Sequence, residues 1–97
     1  MIVEIQCLPS PPGDGQRRWA HVEAAIAVLA GSGLRYEVGP LGTSVEGEPD
    51  EVWLLLRRAH EASLAAGADG VVSVIKVEQS ARAETQPTMG DLVREFR

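Results

Sequence analysis

The segment from Gly42 to Val52 has the highest concentration of side chains that could bind a ligand or take part in a reaction. It combines hydroxyl and carboxylate side chains with two glycines. Alternation along a strand would place Ser44 and Glu46 on one face, with Thr43 on the other. Carboxylates accept hydrogen bonds, so such a cluster could bind a cation or an amino-substituted heterocycle. The simpler interpretation is a strand followed by a helix with an acidic first turn, and residue types alone favour it.

The other reactive side chains form no recognised catalytic motif. Histidine can act as a general base, but His21 and His60 each lie beside an apolar helix stripe, which is typical of a packed histidine. Cys7 is predicted on an apolar strand face, where a thiol is usually inert. A single cysteine and no Cys/His cluster predict no metal site and fit a reducing, cytoplasmic compartment. The loop Gly13-Asp14-Gly15 lacks the lysine of a phosphate-binding loop.

Composition limits the classes of partner. The chain has 97 residues and a net charge of −5. Scattered arginines on an acidic chain predict no nucleic-acid binding, because phosphate contacts need a clustered basic surface. No apolar run approaches the ~20 residues of a membrane span, and the N-terminal residues lack the basic region of a signal peptide. We expect one domain over 1–97, with a core over 1–79 and a tail over 80–97.

The hydrophobic pattern predicts the elements that must position these side chains. Strands are expected at Met1–Leu8, 34–38, 43–46 and 70–77, and helices at Gln16–Ala30, from Pro49 to about Ala66, and after a cap of Thr88 with Asp91. The proline-rich segment from Pro9 to Gly15 is predicted to end the first strand. The order predicts a ferredoxin-like α+β sandwich: two helices on one face of a four-stranded antiparallel sheet, plus a short C-terminal helix.

Apolar spacing also predicts the buried faces. The first helix is expected to bury Trp19, Val22, Ile26 and Leu29, and the tail helix Leu92, Val93 and Phe96. The second helix carries four consecutive large apolar residues, Trp53 to Leu56, and the sheet face opposite the helices would expose Leu8, Val72 and Val74. Uncovered apolar surface of this extent is typical of association. We therefore predict a homo-oligomer, with a homotetramer built from dimers preferred.

Several motifs occur in an order that resembles the small thiamine-binding protein family. They are Ser32-Gly33-Leu34 with Tyr36, Gly42-Thr43 with Glu46-Gly47, Asp50-Glu51-Val52, His60-Glu61, and Ile75-Lys76-Val77 with Arg82 beyond. The resemblance covers the chain from about Pro9 to Val77. It implies a ferredoxin-like fold, homo-oligomers, binding of thiamine or its hydroxymethylpyrimidine part, and neither an established enzyme activity nor a cofactor.

The resemblance also implies a set of ligand-binding residues. These are Thr43, Glu46 and Asp50 as polar contacts, with Tyr36 or Trp53 as stacking groups. An aminopyrimidine offers donors to a carboxylate and a flat face to an aromatic ring, and a thiazolium cation suits an acidic, aromatic-lined site. The net charge of −5 disfavours a highly phosphorylated ligand.

The chain departs from the family pattern at the start of its first predicted helix. The family usually has small hydroxyl residues there, whereas this chain has Arg17, Arg18 and Trp19. Trp19 is expected to fill part of a pocket. The predicted function is a non-catalytic binding protein that acts as carrier, sensor or buffer. Two alternatives stay open: an interaction module with a purely structural acidic hairpin, and a small enzyme using His60 with Glu61 or Glu46 in a subunit-interface cleft.

Overall fold

The computed structural model describes residues 1–97 and contains four strands and three α-helices. The elements are β1 (Ile2–Ser10), α1 (Ala20–Ala30), β2 (Arg35–Val38), β3 (Thr43–Glu46), α2 (Pro49–Ala65), β4 (Gly70–Glu78) and α3 (Met89–Val93), with 3-10 turns at Ala83–Thr85 and Arg94–Phe96. The strands form one antiparallel sheet in the order β2-β3-β1-β4. Both long helices pack on one face of it. This is the ferredoxin-like sandwich that the sequence predicted.

The core lies between the two long helices and the central strands β1 and β3. Val3 lies opposite Val45 in the register of these strands, and both are almost fully buried. The helices contribute Ala25 and Leu29 from α1, and Val52, Leu55, Leu56 and Ala59 from α2. Burying side chains of this size stabilises the fold by about 1.5–3 kcal/mol each. The central strands are therefore held firmly, whereas β2 and β4 form the two edges of the sheet.

Strand β1 extends two residues beyond its predicted end at Leu8. Pro9 and Ser10 pair with Val71 and Gly70 of β4. Proline lacks a backbone N–H and is tolerated in a strand where that N–H would face no partner. Beyond Ile5, β1 has no strand on its β3 side, so the missing N–H leaves no gap in a ladder. The prediction that Pro9 ends the strand was wrong for this reason.

Helix α1 is shorter than predicted and begins at Ala20, not at Gln16. The preceding residues form a loop in which Asp14 Oδ1 accepts the backbone N–H groups of Gln16 at 2.8 Å and Arg17 at 2.7 Å. Such side-chain bonds compete with the first turn of a helix. The backbone N–H of Arg17, and then that of Gln16, hold the pKa of Asp14 below its usual value. The hydrogen bonds of this loop thus explain why α1 begins only at Ala20.

The buried face of α1 differs from the predicted stripe. His21, Ala25 and Leu29 are buried, and the His21 ring is fixed by a 2.7 Å contact between its Nδ1 and the Pro11 carbonyl oxygen. Leu29 is the only residue of the predicted stripe that is buried, and Trp19 is about half exposed. The buried face of α1 is therefore turned about the helix axis relative to the predicted one. The contact between the His21 ring and the Pro11 carbonyl in the loop holds His21 toward the interior.

The tail helix α3 also buries a different residue from those predicted. Met89 is buried, whereas Leu92 is 55% exposed and Phe96 is 85% exposed. The predicted cap was correct, because Thr88 and Asp91 form a reciprocal capping box. The predicted apolar face was wrong because the segment is anchored at its first residue, Met89, whose N–H donates to Glu46 Oε2 at 2.8 Å.

The sheet face opposite the helices, called here the open face, carries Glu4, Gln6 and Leu8 of β1, and Val72, Val74 and Lys76 of β4. Leu8, Val72 and Val74 are all about half exposed or more, as predicted. The tail lies against the same side near Glu46 and leaves this area uncovered. No helix of the molecule has the length and apolar character needed to cross a membrane.

Candidate functional site

A cleft of about 420 Å³ lies between α1, β1 and the turn that joins β2 to β3. It is lined by residues 5–8 of β1, by Trp19, Val22, Ala25, Ile26 and Leu29, and by residues 39–43. All four residues predicted to form the buried stripe of α1, namely Trp19, Val22, Ile26 and Leu29, therefore line a cavity, and of these only Leu29 is also buried in the core. The spacing of that stripe was visible in the sequence, but it did not distinguish a cleft wall from a core.

The cleft exists because β3 is shorter than β1. β3 pairs with β1 only as far as Ile5, whereas β1 continues beside β4 to Ser10. From Gln6 onward, the β3 side of β1 therefore has no neighbouring strand. Main-chain N–H and C=O groups on an unpaired strand side are available to another molecule. The floor of the cleft thus offers main-chain donors and acceptors.

The turn between β2 and β3 forms one rim of the cleft. Gly39 N–H donates to the Gly42 carbonyl oxygen at 2.8 Å and closes the turn. A Cβ added at Gly42 would lie 3.1 Å from the Glu4 side chain and 3.3 Å from the Ile5 carbonyl oxygen. Glycine therefore lets the turn approach β1 closely. Leu41 at the tip of the turn is 77% exposed.

The lining of the cleft contains no Asp, Glu, Lys, Arg or His. Its polar side chains are Cys7, Thr43 and the indole of Trp19, because the Gln6 side chain points to the open face. Pockets that combine apolar walls with a few well-placed polar groups are typical of small-molecule sites. The cleft therefore suits the uncharged, flat part of a ligand.

The Ser73 hydroxyl links the Cys7 thiol to the His60 ring. The Ser73 hydroxyl donates to Cys7 Sγ at 3.5 Å and lies 2.6 Å from His60 Nδ1. A serine hydroxyl has one proton, so it accepts from His60 if it donates to the thiol. Burial raises the pKa of the Cys7 thiol, and the Ser73 hydrogen bond opposes this with a smaller effect. The thiol is consequently neutral at pH 7.

His60 has a hydroxyl partner and not the carboxylates considered in the sequence. Glu61 is exposed and pairs with Arg57, whose Nε lies 2.9 Å from Glu61 Oε1. Glu46 lies on the opposite face of the sheet from the helices, because alternate residues of a strand point to opposite sides. Within one protomer, neither carboxylate is therefore placed to orient His60.

Of the five residues predicted to bind the ligand, only Thr43 lines the cleft, where it is buried. Glu46 is used inside the protein: its carboxylate accepts the N–H of Met89 and lies 3.5 Å from Arg35 Nε. Thr43 and Glu46 therefore face opposite sides of the sheet and cannot contact one small molecule within a protomer.

The other three predicted ligand residues lie outside the cleft. Asp50 is exposed in the first turn of α2, and Trp53 is half exposed on the same helix. Tyr36 is on the edge strand β2 and is 43% exposed. The structure does not bring these side chains to Thr43, and their part in ligand binding stays a prediction.

Comparison with known proteins gives the chain its family. Residues 3–97 match the family model described as thiamine-binding protein. The chain belongs to the thiamine-binding protein family. Among its relatives, a UPF0045 protein of Clostridium perfringens is 30% identical over 76 residues, or 78% of each chain. A UPF0045 protein of Methanothermobacter thermautotrophicus is 36% identical over 66 residues, or 67% of each chain.

Solved structures of similar proteins have the same fold. A domain of unknown function, DUF77, from Bacillus cereus superposes with a TM-score of 0.80 at 33% identity and covers 99% of this chain and 90% of that one. A candidate thiamine biosynthesis/salvage protein from Thermotoga maritima superposes with a TM-score of 0.82 at 25% identity, covering 99% and 97%. Family and fold thus agree with the resemblance found in the sequence.

Proposed function

We propose that this protein binds thiamine, or its hydroxymethylpyrimidine moiety, in the cleft without changing it chemically, and acts as a carrier, sensor or buffer. The observation that carries the proposal is the uncharged cleft on the unpaired side of β1, in a chain of the thiamine-binding protein family. The cleft also contains Thr43, one of the residues expected from the sequence to bind the ligand.

The chemistry of an aminopyrimidine fits the groups in the cleft. Its ring nitrogens accept hydrogen bonds and its exocyclic amine donates them. The unpaired main chain of β1 from Gln6 onward, together with the Thr43 hydroxyl, supplies the complementary partners. The flat ring would pack against the apolar wall of α1 and the indole of Trp19. The cationic thiazolium would lie toward the opening, where it keeps its contact with water.

We further propose that the protein works as a homo-oligomer, a dimer of dimers, in the cytoplasm. Leu8, Val72 and Val74 leave an apolar area on the open face. Strand β4 has nine residues and no neighbouring strand on its outer side. Long unpaired edges of this kind pair readily with another chain. A second copy would cover both features at once.

Titration calorimetry with thiamine and with hydroxymethylpyrimidine tests the binding proposal. We expect saturable binding at micromolar concentration or tighter. Thr43→Val removes the hydroxyl in the cleft with little change of volume and should weaken binding about tenfold, the value of one good hydrogen bond. Ser44→Ala is the matched control, because Ser44 is the next residue and faces the other side of the sheet; its affinity should equal that of the wild type.

Two results would overturn the proposal. Absence of binding by folded protein with either ligand would favour the interaction-module hypothesis. Affinity that survives Thr43→Val but is lost in Glu46→Gln would move the site to the other side of the sheet, where the sequence placed part of it.

A further inference from the structure

The cations of this protein are almost all neutralised by carboxylates. Of the nine Lys and Arg residues, seven form ion pairs with Asp or Glu. Arg18 and Arg58 are the two that do not. Arg58 lies on α2 beside a different depression, which includes Val28 and Leu54. Arg18 is therefore the one unpaired cation next to the cleft.

Arg18 is held against a wall residue of the cleft. Its guanidinium carbon lies 4.9 Å from the centroid of the Trp19 ring, and Trp19 lines the cleft. A cation over an indole face is attracted by the ring, which limits the positions that the side chain samples. The guanidinium is thus restrained against Trp19, one wall residue of a cleft whose lining has no charge of its own.

The acidic groups of this loop and of the first turn of α1 have other partners. Asp14 Oδ1 accepts the N–H groups of Gln16 and Arg17, and Glu23 pairs with the Arg17 guanidinium. Neither carboxylate forms an ion pair with Arg18, so its hydrogen-bond donors remain available. Guanidinium groups bind phosphate in a bidentate manner, which a single exposed arginine can offer to one phosphoryl group.

We propose that Arg18 makes this cleft selective for a ligand whose flat ring lies in the cleft and whose substituent carries one phosphate monoester outside it. The inference rests on the proposed function and names the form of the ligand. A single guanidinium matches a single phosphoryl group, while the net charge of −5 opposes a more highly charged pyrophosphate. Arg18 lies in the segment that departs from the family pattern, so this selectivity belongs to this chain.

Calorimetric titrations with thiamine and thiamine monophosphate test the inference. In the wild type we expect the monophosphate to bind about tenfold more tightly than thiamine, and this ratio to fall as salt is raised, because the contact is exposed. Arg18→Gln should bring the ratio close to one without weakening thiamine binding. Arg58→Gln is the matched control, with the same loss of charge on α2, and should keep the wild-type ratio.

The outcomes separate the two proposals. If folded protein binds neither compound, the proposed function fails and the inference fails with it. If thiamine binds but the monophosphate is not preferred, or if Arg18→Gln keeps the preference, the inference is overturned and the proposed function stands. An equal loss of preference in Arg18→Gln and Arg58→Gln would also overturn it, because the effect would then come from overall charge.

Discussion

At the scale of single residues, the half-buried thiol of Cys7 gives a prediction about pH. Burial raises its pKa above the usual 9.0, so the folded protein favours the neutral thiol. The stability that the neutral thiol contributes is therefore complete below the pKa of Cys7 in the unfolded chain. It is lost as the pH rises through the higher pKa of Cys7 in the folded protein. We expect alkylation of Cys7 at pH 8 to be slower than that of free cysteine, and the free energy of unfolding to fall above about pH 9.

Ser73→Ala sharpens that prediction. Removing the hydroxyl that donates to Cys7 Sγ should raise the thiol pKa further and slow alkylation again. Alkylation rates measured against pH for the wild type and Ser73→Ala would show the midpoint moving upward, and Ser44→Ala on the open face should leave it unmoved. Alkylation of the wild type at pH 8 as fast as that of free cysteine would contradict the prediction.

Residue types located only part of the candidate site. Strand alternation already separated Thr43 from Glu46, and the structure places them on opposite faces as that rule requires. The resemblance to a family grouped them again because motifs record proximity in sequence. Whether the carboxylate of Glu46 is free or engaged depends on Met89, a residue 43 positions away. No local pattern reports a partner at that distance.

At the scale of elements, Glu46 is predicted to act as the anchor of the tail. Glu46→Ala removes the acceptor of the Met89 N–H and the partner of Arg35. The loss should cost about 1.5–3 kcal/mol locally, as expected for a hydrogen bond to a charged group. Hydrogen–deuterium exchange should then become faster over residues 83–97 while β1 and β3 keep their protection.

Glu84→Ala provides the comparison for that experiment. Glu84 lies in the same tail but is exposed, and its carboxylate lies 3.8 Å from Arg82 Nε. Its exchange pattern should match that of the wild type. Faster exchange throughout the sheet of Glu46→Ala would contradict an anchoring role confined to the tail.

Element types could be predicted from the sequence, but several boundaries could not. Apolar periodicity and glycine positions predicted every strand and long helix in the right order. The wrongly predicted end of β1 at Pro9 and start of α1 before Ala20 have one origin. Both boundaries depend on whether a nearby acceptor forms a hydrogen bond with a particular backbone N–H. Pro9 continues β1 because no strand is adjacent on that side, and Asp14 delays α1 by accepting two N–H groups. Such hydrogen bonds depend on three-dimensional neighbours.

At the scale of the whole molecule, the open face predicts self-association. We expect light scattering to give a molar mass that is a multiple of 10.4 kDa. Val74→Glu places a charge in the exposed apolar area and should lower that mass, because a buried unpaired charge opposes association. Leu41→Glu makes a similar change at the exposed tip of the turn between β2 and β3 and should leave the mass unchanged. A wild-type mass of 10.4 kDa, or an unaltered mass of Val74→Glu, would contradict the prediction.

Strand β1 contributes to both surfaces of the molecule. Ile5 and Cys7 point toward the helices and the cleft, while Glu4 and Leu8 point to the open face. Insertion or deletion of one residue within β1 would turn the residues beyond it to the opposite side, since a shift of one position reverses the facing of each side chain. Residues of the open face such as Leu8 would then exchange places with residues that face the helices. The spacing of residues along β1 is therefore constrained by two surfaces at once.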